Sequence, residues 1–418
     1  MQNALLEKIQ AFTNADYTYL DDIFAHYSQH PEPSLQEFKT AQKQLELYWE
    51  AGCDRVEFCA GTGVVAVIQN GAGKTVLCRN DHDALLMQDQ IEGRYRSLVP
   101  GVAHKCGHSM VPAISVGVAR NLVRLKEYWE GTVVLVSQLG EEGADGAGKM
   151  LRDGLYERFP KPDMALAYHC SPTLPVGQLG FRKGFAFATT SMGSILVKGQ
   201  GGHGGAPDTA IDPIVLASSI VMRLQTIVSR EMSPFEPAVV SVCSFVSSSQ
   251  YSSVIPDSVA MKFTVRCMGD AAYNKITAAI ERICNAEAAA SNLPPEKYPV
   301  INHREYITDA VYNDPHFTTR LEGIFGEIFG QEAIKEEPCY AFGEDFGHYA
   351  LKGEIPISLI WLGSVSPNKF DNNGKPVVFL EPLHSPKFMP EPETLVPGVV
   401  GMTGAVIALL ELSPVGVG

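Results

Sequence analysis

The sequence predicts an α/β protein with two domains: a larger one with helices on both faces of a mixed sheet, and a smaller one inserted into it. Its 418 residues are enough for two well-buried cores. Up to Ala167, short β-branched runs alternate with helical segments, which is typical of a sheet covered by helices. From about residue 187 to residue 300 the order of elements changes, which indicates a separate inserted domain.

Two helices are predicted at the start of the larger domain. Residues 4 to 51 have helical spacing of apolar residues, with a break at the two prolines of 30–34. Ser34 is expected to cap the second helix, with Glu37 three residues later completing a capping box. The further predicted elements are strands at 63–68, 75–78, 132–136 and 164–167 and a helix at 111–125.

The inserted domain is predicted to have the order β-α-β-β-α-β. The expected elements are a strand at 193–199, a helix at 212–230, strands at 239–247 and 257–267, a helix at 270–291 and a strand at 297–304. This is the order of a split βαβ, or ferredoxin-like, sandwich. The domain boundaries that follow are 1–186 with 301–418 for the larger domain and 187–300 for the insertion.

Composition and charge argue against some kinds of binding partner for this protein. The formal net charge of −14 disfavours a nucleic acid, because an acidic chain repels phosphates. No uninterrupted apolar run reaches the ~18 residues that span a bilayer, and the start lacks the pattern of a signal peptide. Nine scattered cysteines without a CxxC pair argue against a disulfide framework. We therefore expect a cytoplasmic protein without a membrane partner.

The densest cluster of metal-ligand residue types is His104-Lys105-Cys106-Gly107-His108. Thiolate and imidazole are preferred ligands of zinc and neighbouring metals. The glycine gives the backbone freedom to aim both side chains at one point. A buried cysteine beside a loop histidine is the alternative interpretation.

A second cluster, Glu141-Glu142, follows the buried run 133–139. Adjacent carboxylates at a strand end repel each other unless a cation compensates them. One could bind a metal while the other stays available as a base, as metal-assisted hydrolysis requires. A solvated acidic turn explains the same residues equally well.

Two further histidines lie in similar positions. His169 ends another apolar strand, and His384 lies in a proline-flanked loop. Either alone is more often structural. With Cys106, His108 and Glu142 they make five candidate ligands, too many for one tetrahedral ion but suited to two metals that share a water.

The inserted domain offers two more candidates. Four glycines surround His203, so that its imidazole could approach a substrate oxygen. Arg266 could hold a carboxylate with its guanidinium fork. A flexible turn and a surface ion pair are the respective alternatives.

The ordered series of motifs resembles the M20 metallopeptidase and amidohydrolase family, in its aminoacylase, hippurate hydrolase and auxin-conjugate hydrolase branch. The matching stretches are His30-Pro31-Glu32, Arg79 to Leu85, His104 to His108, Glu141-Glu142-Gly143, Gly201 to Gly204, Asp212-Pro213, Gly343-Glu344-Asp345-Phe346 and His384.

The resemblance implies a role for each matching residue. The implied ligands of two divalent ions (zinc, manganese, cobalt or nickel) are Cys106, His108, Glu142, His169 and His384. Glu141 would be the general base, and His203 would stabilise the oxyanion in a neighbouring subunit, which implies a homodimer through the inserted lid domain. Arg266 would hold the carboxylate of an N-acyl amino acid or peptide substrate.

Two departures from the family pattern concern the site. Ser109 stands where the branch usually has Asp, so a carboxylate that supports the ligands is expected to be missing. Ser253 replaces a usual Asn where substrate is expected, which suggests an altered substrate preference.

The leading hypothesis is hydrolysis of an N-acyl amino acid or similar amide by a water that two metals activate. A metallo-exopeptidase with the same machinery is the nearest alternative. An enzyme that uses Cys106 as nucleophile would keep its activity when a chelator removes the metal. A catalytically idle homologue that only binds a ligand would have no activity.

Overall fold

The computed structural model describes residues 3–143, 145–303 and 307–410, and the predicted α/β class with a mixed sheet is confirmed. Within these residues the α-helices are α1 (Asn3–Gln29), α2 (Phe38–Glu50), α3 (Met110–Arg124), α4 (Gly146–Arg152), α5 (Leu155–Arg158), α6 (Pro213–Thr226), α7 (Asp270–Ala290), α8 (Pro315–Phe329) and α9 (Leu395–Leu409).

The β-strands of the described residues carry numbers in chain order. They are β1 (Arg55–Cys59), β2 (Gly63–Asn70), β3 (Thr75–Asp81), β4 (Gly131–Gln138), β5 (Met164–Pro175), β6 (Leu179–Phe181), β7 (Gly184–Phe187), β8 (Thr189–Lys198), β9 (Gly202–His203), β10 (Ala238–Ser247), β11 (Val254–Ile255), β12 (Ser258–Cys267), β13 (Val300–His303), β14 (Val311–Asn313), β15 (Ile334–Glu336) and β16 (Ile357–Val365). Arg304, the end of the predicted strand 297–304, lies outside the described residues.

The chain divides into two compact units. The larger unit consists of Met1–Ala186, Tyr312–Pro338 and Asp345–Gly418, and the smaller unit of Phe187–Val311 and Cys339–Glu344. The smaller unit thus runs past residue 300 and takes in a second short segment.

An eight-stranded mixed sheet forms the centre of the larger unit, in the order β1-β2-β4-β3-β5-β16-β6-β15. Its middle strands β4, β3, β5 and β16 are parallel neighbours. Because parallel strands end at one edge of a sheet, the residues that follow them are brought together there. Asp81 ends β3, Glu141 comes three residues after β4, and His169 lies two residues beyond the last pairing of β5 with β3.

Helix α9 is a core element of the larger unit. By length and composition alone, the stretch Pro392–Leu409 could cross a membrane, but 72% of it is buried within the protein. It packs against α1, α3 and α8. The apolar composition of this helix is therefore explained by its place in the core.

The predicted capping box before α2 is wrong. The helix begins at Phe38, and Ser34 instead donates its hydroxyl to Asp83 Oδ2 at 2.5 Å. The buried Glu37 carboxylate accepts hydrogen bonds from Thr62 Oγ1 at 2.6 Å and from the Gly140 backbone N–H at 2.8 Å. These tertiary partners replace the local cap, since burial makes an unpaired carboxylate costly.

The smaller unit contains a four-stranded antiparallel sheet in the order β10-β12-β8-β13. Along the chain its elements follow as β8, α6, β10, β12, α7 and β13. Apolar residues of both helices and of the sheet form a core of their own. The short strands β9 and β11 pair separately.

The close approach of α3 and α9 yields a test of this packing. A methyl group on Gly117 would lie 2.6 Å from Val399 Cγ2, whereas one on Gly323 in α8 would meet nothing within 4 Å. We expect Gly117→Ala to lower the free energy of unfolding by about 1–3 kcal/mol through overpacking. The matched change Gly323→Ala should raise it by up to about 1 kcal/mol through helix propensity. Equal shifts for the two variants in chemical denaturation would contradict this packing.

Candidate metal centre

The five predicted ligands and Glu141 lie together at the edge where the parallel strands end. A donor atom from each of Cys106, His108 and His169 lies within 4.8 Å of the donor atoms of the other two. The same holds for a second group, Cys106 with Glu142 and His384, and for a third, His108 with Glu141 and Glu142. Residues that are 278 positions apart in sequence, Cys106 and His384, therefore meet at one place.

The loop before α3 aims Cys106 and His108 at this place. Gly107 between them has a φ of 94°, a conformation that glycine adopts without strain. A Cβ atom there would lie 2.7 Å from Cys170 Cβ, so no larger residue fits. Cys106 Sγ lies 3.5 Å from His169 Nε2 across the site.

Hydrogen bonds fix which nitrogen of each buried imidazole points into the cluster. His169 Nδ1 lies 2.9 Å from the carbonyl oxygen of Cys170, which only accepts, so Nδ1 carries the proton. His108 Nδ1 similarly faces the carbonyl oxygen of Asp83 at 3.2 Å and its Oδ1 at 3.3 Å. In the neutral form of either ring the lone pair is on Nε2, and His108 Nε2 has no hydrogen-bond partner among the described residues.

Burial and charge act in opposite directions on these histidines. Burial lowers the pKa of His169 to about 4, so its ring is neutral. Burial also lowers the pKa of His108, but the charge of Asp81, the hydrogen bond to Asp83 and the charge of Glu142 outweigh it and raise that pKa to about 10. The pocket around His108 thus holds a proton in the absence of any other cation.

These observations fit divalent metal ions. A cation of higher charge can replace the proton on His108, and the set of thiol, imidazole and carboxylate donors suits borderline-soft metals. The buried Nε2 of His108 without a partner is the kind of atom that a metal would satisfy. His384 differs from the other candidate ligands, because 51% of its side chain is exposed; its Nε2 lies 3.4 Å from Glu142 Oε2.

The remaining predicted residues lie in the smaller unit. His203 in β9 is exposed and pairs with Val254, next to Ser253, whose carbonyl accepts from Gly204 N at 2.7 Å. His203 Nδ1 accepts from the Gly205 backbone N–H at 3.0 Å, so the proton of the neutral ring is on Nε2.

Arg266 lies on β12, opposite Thr190 of β8. It is half-buried, and burial lowers its pKa. Among the described residues no carboxylate forms an ion pair with it. The guanidinium therefore keeps its capacity to bind a carboxylate.

Comparison with known proteins places the chain in a family. The model of the peptidase family M20/M25/M40 matches residues 77–375. The chain belongs to this family. It is 30% identical over 336 residues to the IAA-amino acid hydrolase ILR1-like 4 of Arabidopsis thaliana, which covers 80% of this chain and 75% of that one. It is 32% identical over 343 residues to the N-acetyldiaminopimelate deacetylase of Anoxybacillus flavithermus, with 81% and 87% covered.

A solved structure agrees with this assignment. The Bacillus subtilis YXEP protein, described as a dinuclear metal binding peptidase from the M20 family, superposes with a TM-score of 0.77 at 26% identity, covering 95% of this chain and 99% of that one. The predicted family resemblance is confirmed. The M20 chain is a metal-dependent amidohydrolase that acts on amide bonds with divalent metal ions.

Asp83, which the sequence placed in a matching stretch without a role, contacts several residues of this M20 site. Besides His108 Nδ1 and Ser34, its carboxylate accepts from the Glu142 backbone N–H at 2.9 Å. Burial raises the pKa of Asp83, but the hydrogen bond and charge of His108 hold it well below its usual range. A carboxylate two residues after β3 thus contacts both His108 and Glu142, and the buried Ser109 hydroxyl has no partner among the described residues.

A buried ion-pair network below the site was also missed. Arg79 lies 2.5 Å from Asp81 Oδ2 and 3.3 Å from Asp345 Oδ1. Gln138 Nε2 donates to Asp345 Oδ1 at 2.7 Å, and Ala147 N donates to its Oδ2 at 3.0 Å. The sequence signal was present, since 79–85 and 343–346 both matched the family pattern.

Replacing the Asp83 carboxylate tests its support of the centre. Asp83→Asn removes the charge that holds His108 and Glu142, and we expect about 10- to 100-fold weaker metal binding. Asp163→Asn is the matched control, because Asp163 also accepts a backbone N–H, from Thr75 at 2.7 Å, but at an exposed position outside the cluster. Calorimetric titration of metal into the apo-protein measures both. Equal affinities for the two variants would refute the role of Asp83.

Proposed function

We propose that this chain hydrolyses N-acyl amino acids with two divalent ions bound in the cluster and Glu141 as general base. The proposed ligands are Cys106, His108, Glu142, His169 and His384. The single observation that carries the proposal is the convergence of these five side chains, with one further carboxylate, Glu141, within 4.8 Å of His108 and Glu142. Five donors exceed the four of one tetrahedral ion, which supports two.

Each group has a distinct task in the proposed mechanism. When bound, the metal ions would supply Lewis acidity for the amide carbonyl and for a water. Glu141 takes the proton from that water and later delivers it to the leaving nitrogen. Glu142 is proposed as a metal ligand, and Glu141 is proposed as the group that transfers the proton.

Two residues of the smaller unit are proposed to bind the substrate. The tautomer of His203, with its proton on the exposed Nε2, supports a role as hydrogen-bond donor to the developing oxyanion. Arg266, without an ion-pair partner among the described residues, supports recognition of the substrate carboxylate. Ser253, beside His203, is proposed to influence substrate preference.

We assign the larger unit as the catalytic domain and the smaller unit as a ferredoxin-like lid through which two copies associate. Strand β10 is an edge of the four-stranded sheet and exposes Val239, Phe245 and Val246. An exposed apolar edge strand is a template for pairing with another chain. We propose a homodimer formed through this strand, in which His203 of one copy acts in the site of the other.

The names of the relatives support N-acyl amino acids as the substrate class. One is named for hydrolysis of IAA-amino acids and one for deacetylation of N-acetyldiaminopimelate. The YXEP description as a peptidase favours the second candidate, an exopeptidase for dipeptides. Nine cysteines, seven of them buried, support a reducing compartment such as the cytoplasm.

Replacing Glu141 tests the assignment of the base. We expect Glu141→Gln to keep both metal ions and to lose at least about 100-fold in kcat, because an amide cannot accept the proton. Glu142→Gln, the neighbouring control, should instead lower the metal content. Metal analysis and steady-state kinetics on both variants measure this. Wild-type kcat in Glu141→Gln would refute the base.

A small substrate panel separates the two candidate functions. The metal-loaded enzyme is assayed with N-acetyl and N-benzoyl amino acids and with dipeptides of the same C-terminal residue. We expect the N-acyl amino acids to have the higher kcat/KM. We also expect conversion of their carboxylate to an amide to raise KM, since the proposed partner of Arg266 is then lost. A preference for dipeptides would overturn the substrate class and leave the hydrolase assignment standing.

A further inference from the structure

A lysine without any solvent exposure directly precedes Cys106 of the candidate centre. Lys105 separates His104 from Cys106, and its side chain is 0% exposed. A buried ammonium is stable only when it is paired and hydrogen-bonded. Lys105 Nζ meets this need with Asp89 Oδ1 at 2.8 Å and the carbonyl oxygen of Phe388 at 3.1 Å.

These contacts hold the loop that carries His384. The backbone N–H of His384 donates to the carbonyl oxygen of Lys105 at 2.7 Å, while the lysine side chain holds Phe388 four residues further on. A third bond joins Gln90 N to the carbonyl oxygen of Pro386 at 3.0 Å. Lys105 is thus attached to both ends of 384–388, once through its backbone and once through its side chain.

Asp89, the partner of Lys105, is itself fixed. Its Oδ1 accepts from Ile91 N at 3.0 Å, and its Oδ2 accepts from Ser97 N at 2.8 Å. The ammonium is therefore paired with a carboxylate whose position is fixed by backbone hydrogen bonds. The ion pair restricts the movement of the loop that it contacts.

His384 depends on such anchoring more than the other proposed ligands do. Its backbone has a φ of 63°, which is strained for a residue with a side chain and persists only where surrounding contacts impose it. Half of its side chain is exposed, whereas the rings of His108 and His169 are buried and fixed by hydrogen bonds at Nδ1. Little besides the loop backbone can therefore set the place of its imidazole.

We propose that Lys105 is a positioning residue that holds His384 against Cys106 and Glu142 through the buried ion pair with Asp89. This inference rests on the proposed function, in which His384 is a metal ligand. Its consequence is selective: the ion bound by the group that contains His384 depends on Lys105, and the ion bound by Cys106, His108 and His169 does not.

The test is Lys105→Met, which keeps the length of the side chain and removes the ammonium. Apo-protein is titrated with Co2+, and binding is followed by the thiolate charge-transfer and d–d absorption bands and by the number of ions retained. We expect one ion at wild-type affinity and the other about 10- to 100-fold weaker, as for other groups that orient ligands. Loss of both ions to the same extent, or of neither, would overturn the proposal.

A matched control is Lys126→Met. Lys126 also contacts one carboxylate and one carbonyl, Asp54 Oδ2 at 3.2 Å and the oxygen of Gln69 at 2.9 Å, outside the cluster. Co2+ binding by this variant should match the wild type. Weakening of one ion in Lys126→Met as strong as in Lys105→Met would overturn the specificity claimed for Lys105.

His384→Ala separates this inference from the proposed function. If His384→Ala binds both ions normally, the ligand assignment itself fails. If it weakens one ion and Lys105→Met does not, only the positioning role fails. Adding Lys105→Met to His384→Ala should weaken Co2+ binding no further, because both changes act on one ligand. Should Lys105→Met not fold, Asp89→Asn decides in its place, with the same selective loss expected and its absence contradicting the proposal.

Discussion

Four carboxylates lie close to the His108 imidazole, those of Asp81, Asp83, Glu141 and Glu142. In a buried site, this much negative charge is costly unless a cation compensates it. The raised pKa of His108 reflects this constraint, because the nearby negative charges favour the protonated ring although burial opposes it. A pair of divalent ions would compensate the same negative charge and could also activate a water for hydrolysis. The arrangement of the candidate ligands is consistent with that requirement.

Three features of the fold hold these charged side chains in place. The parallel strands end at one edge, so that Asp81, the Glu141-Glu142 turn and His169 converge without long loops. Beneath them Arg79 compensates Asp81 and Asp345 and keeps both carboxylates in place. The close contact of α3 with α9 then fixes the helix that follows His108. The strand ends, the ion pairs of Arg79 and the contact between the two helices together restrict the positions of the candidate ligands.

Local motifs made most of the clustered side chains candidates from sequence. Cys106 and His108 share one short loop, and Glu141-Glu142 and His169 follow or end apolar runs that were predicted as buried strands and are strands β4 and β5. Supporting residues could not be found in this way, because their partners are distant in the chain. Lys105 contacts Phe388 across 283 positions, and Ser34 meets Asp83 rather than its expected helix. A capping box is a local preference, and tertiary hydrogen bonds to buried groups outweighed it.

The most direct test of the central claim is anomalous X-ray diffraction from crystals of the metal-loaded protein, recorded on both sides of the metal's absorption edge. The account predicts two anomalous peaks about 3.5–4 Å apart, bound by the Cys106 sulfur, three imidazoles and the Glu142 carboxylate, with Glu141 left uncoordinated. A single ion, ions bound elsewhere, or these side chains turned away from the metal would contradict it.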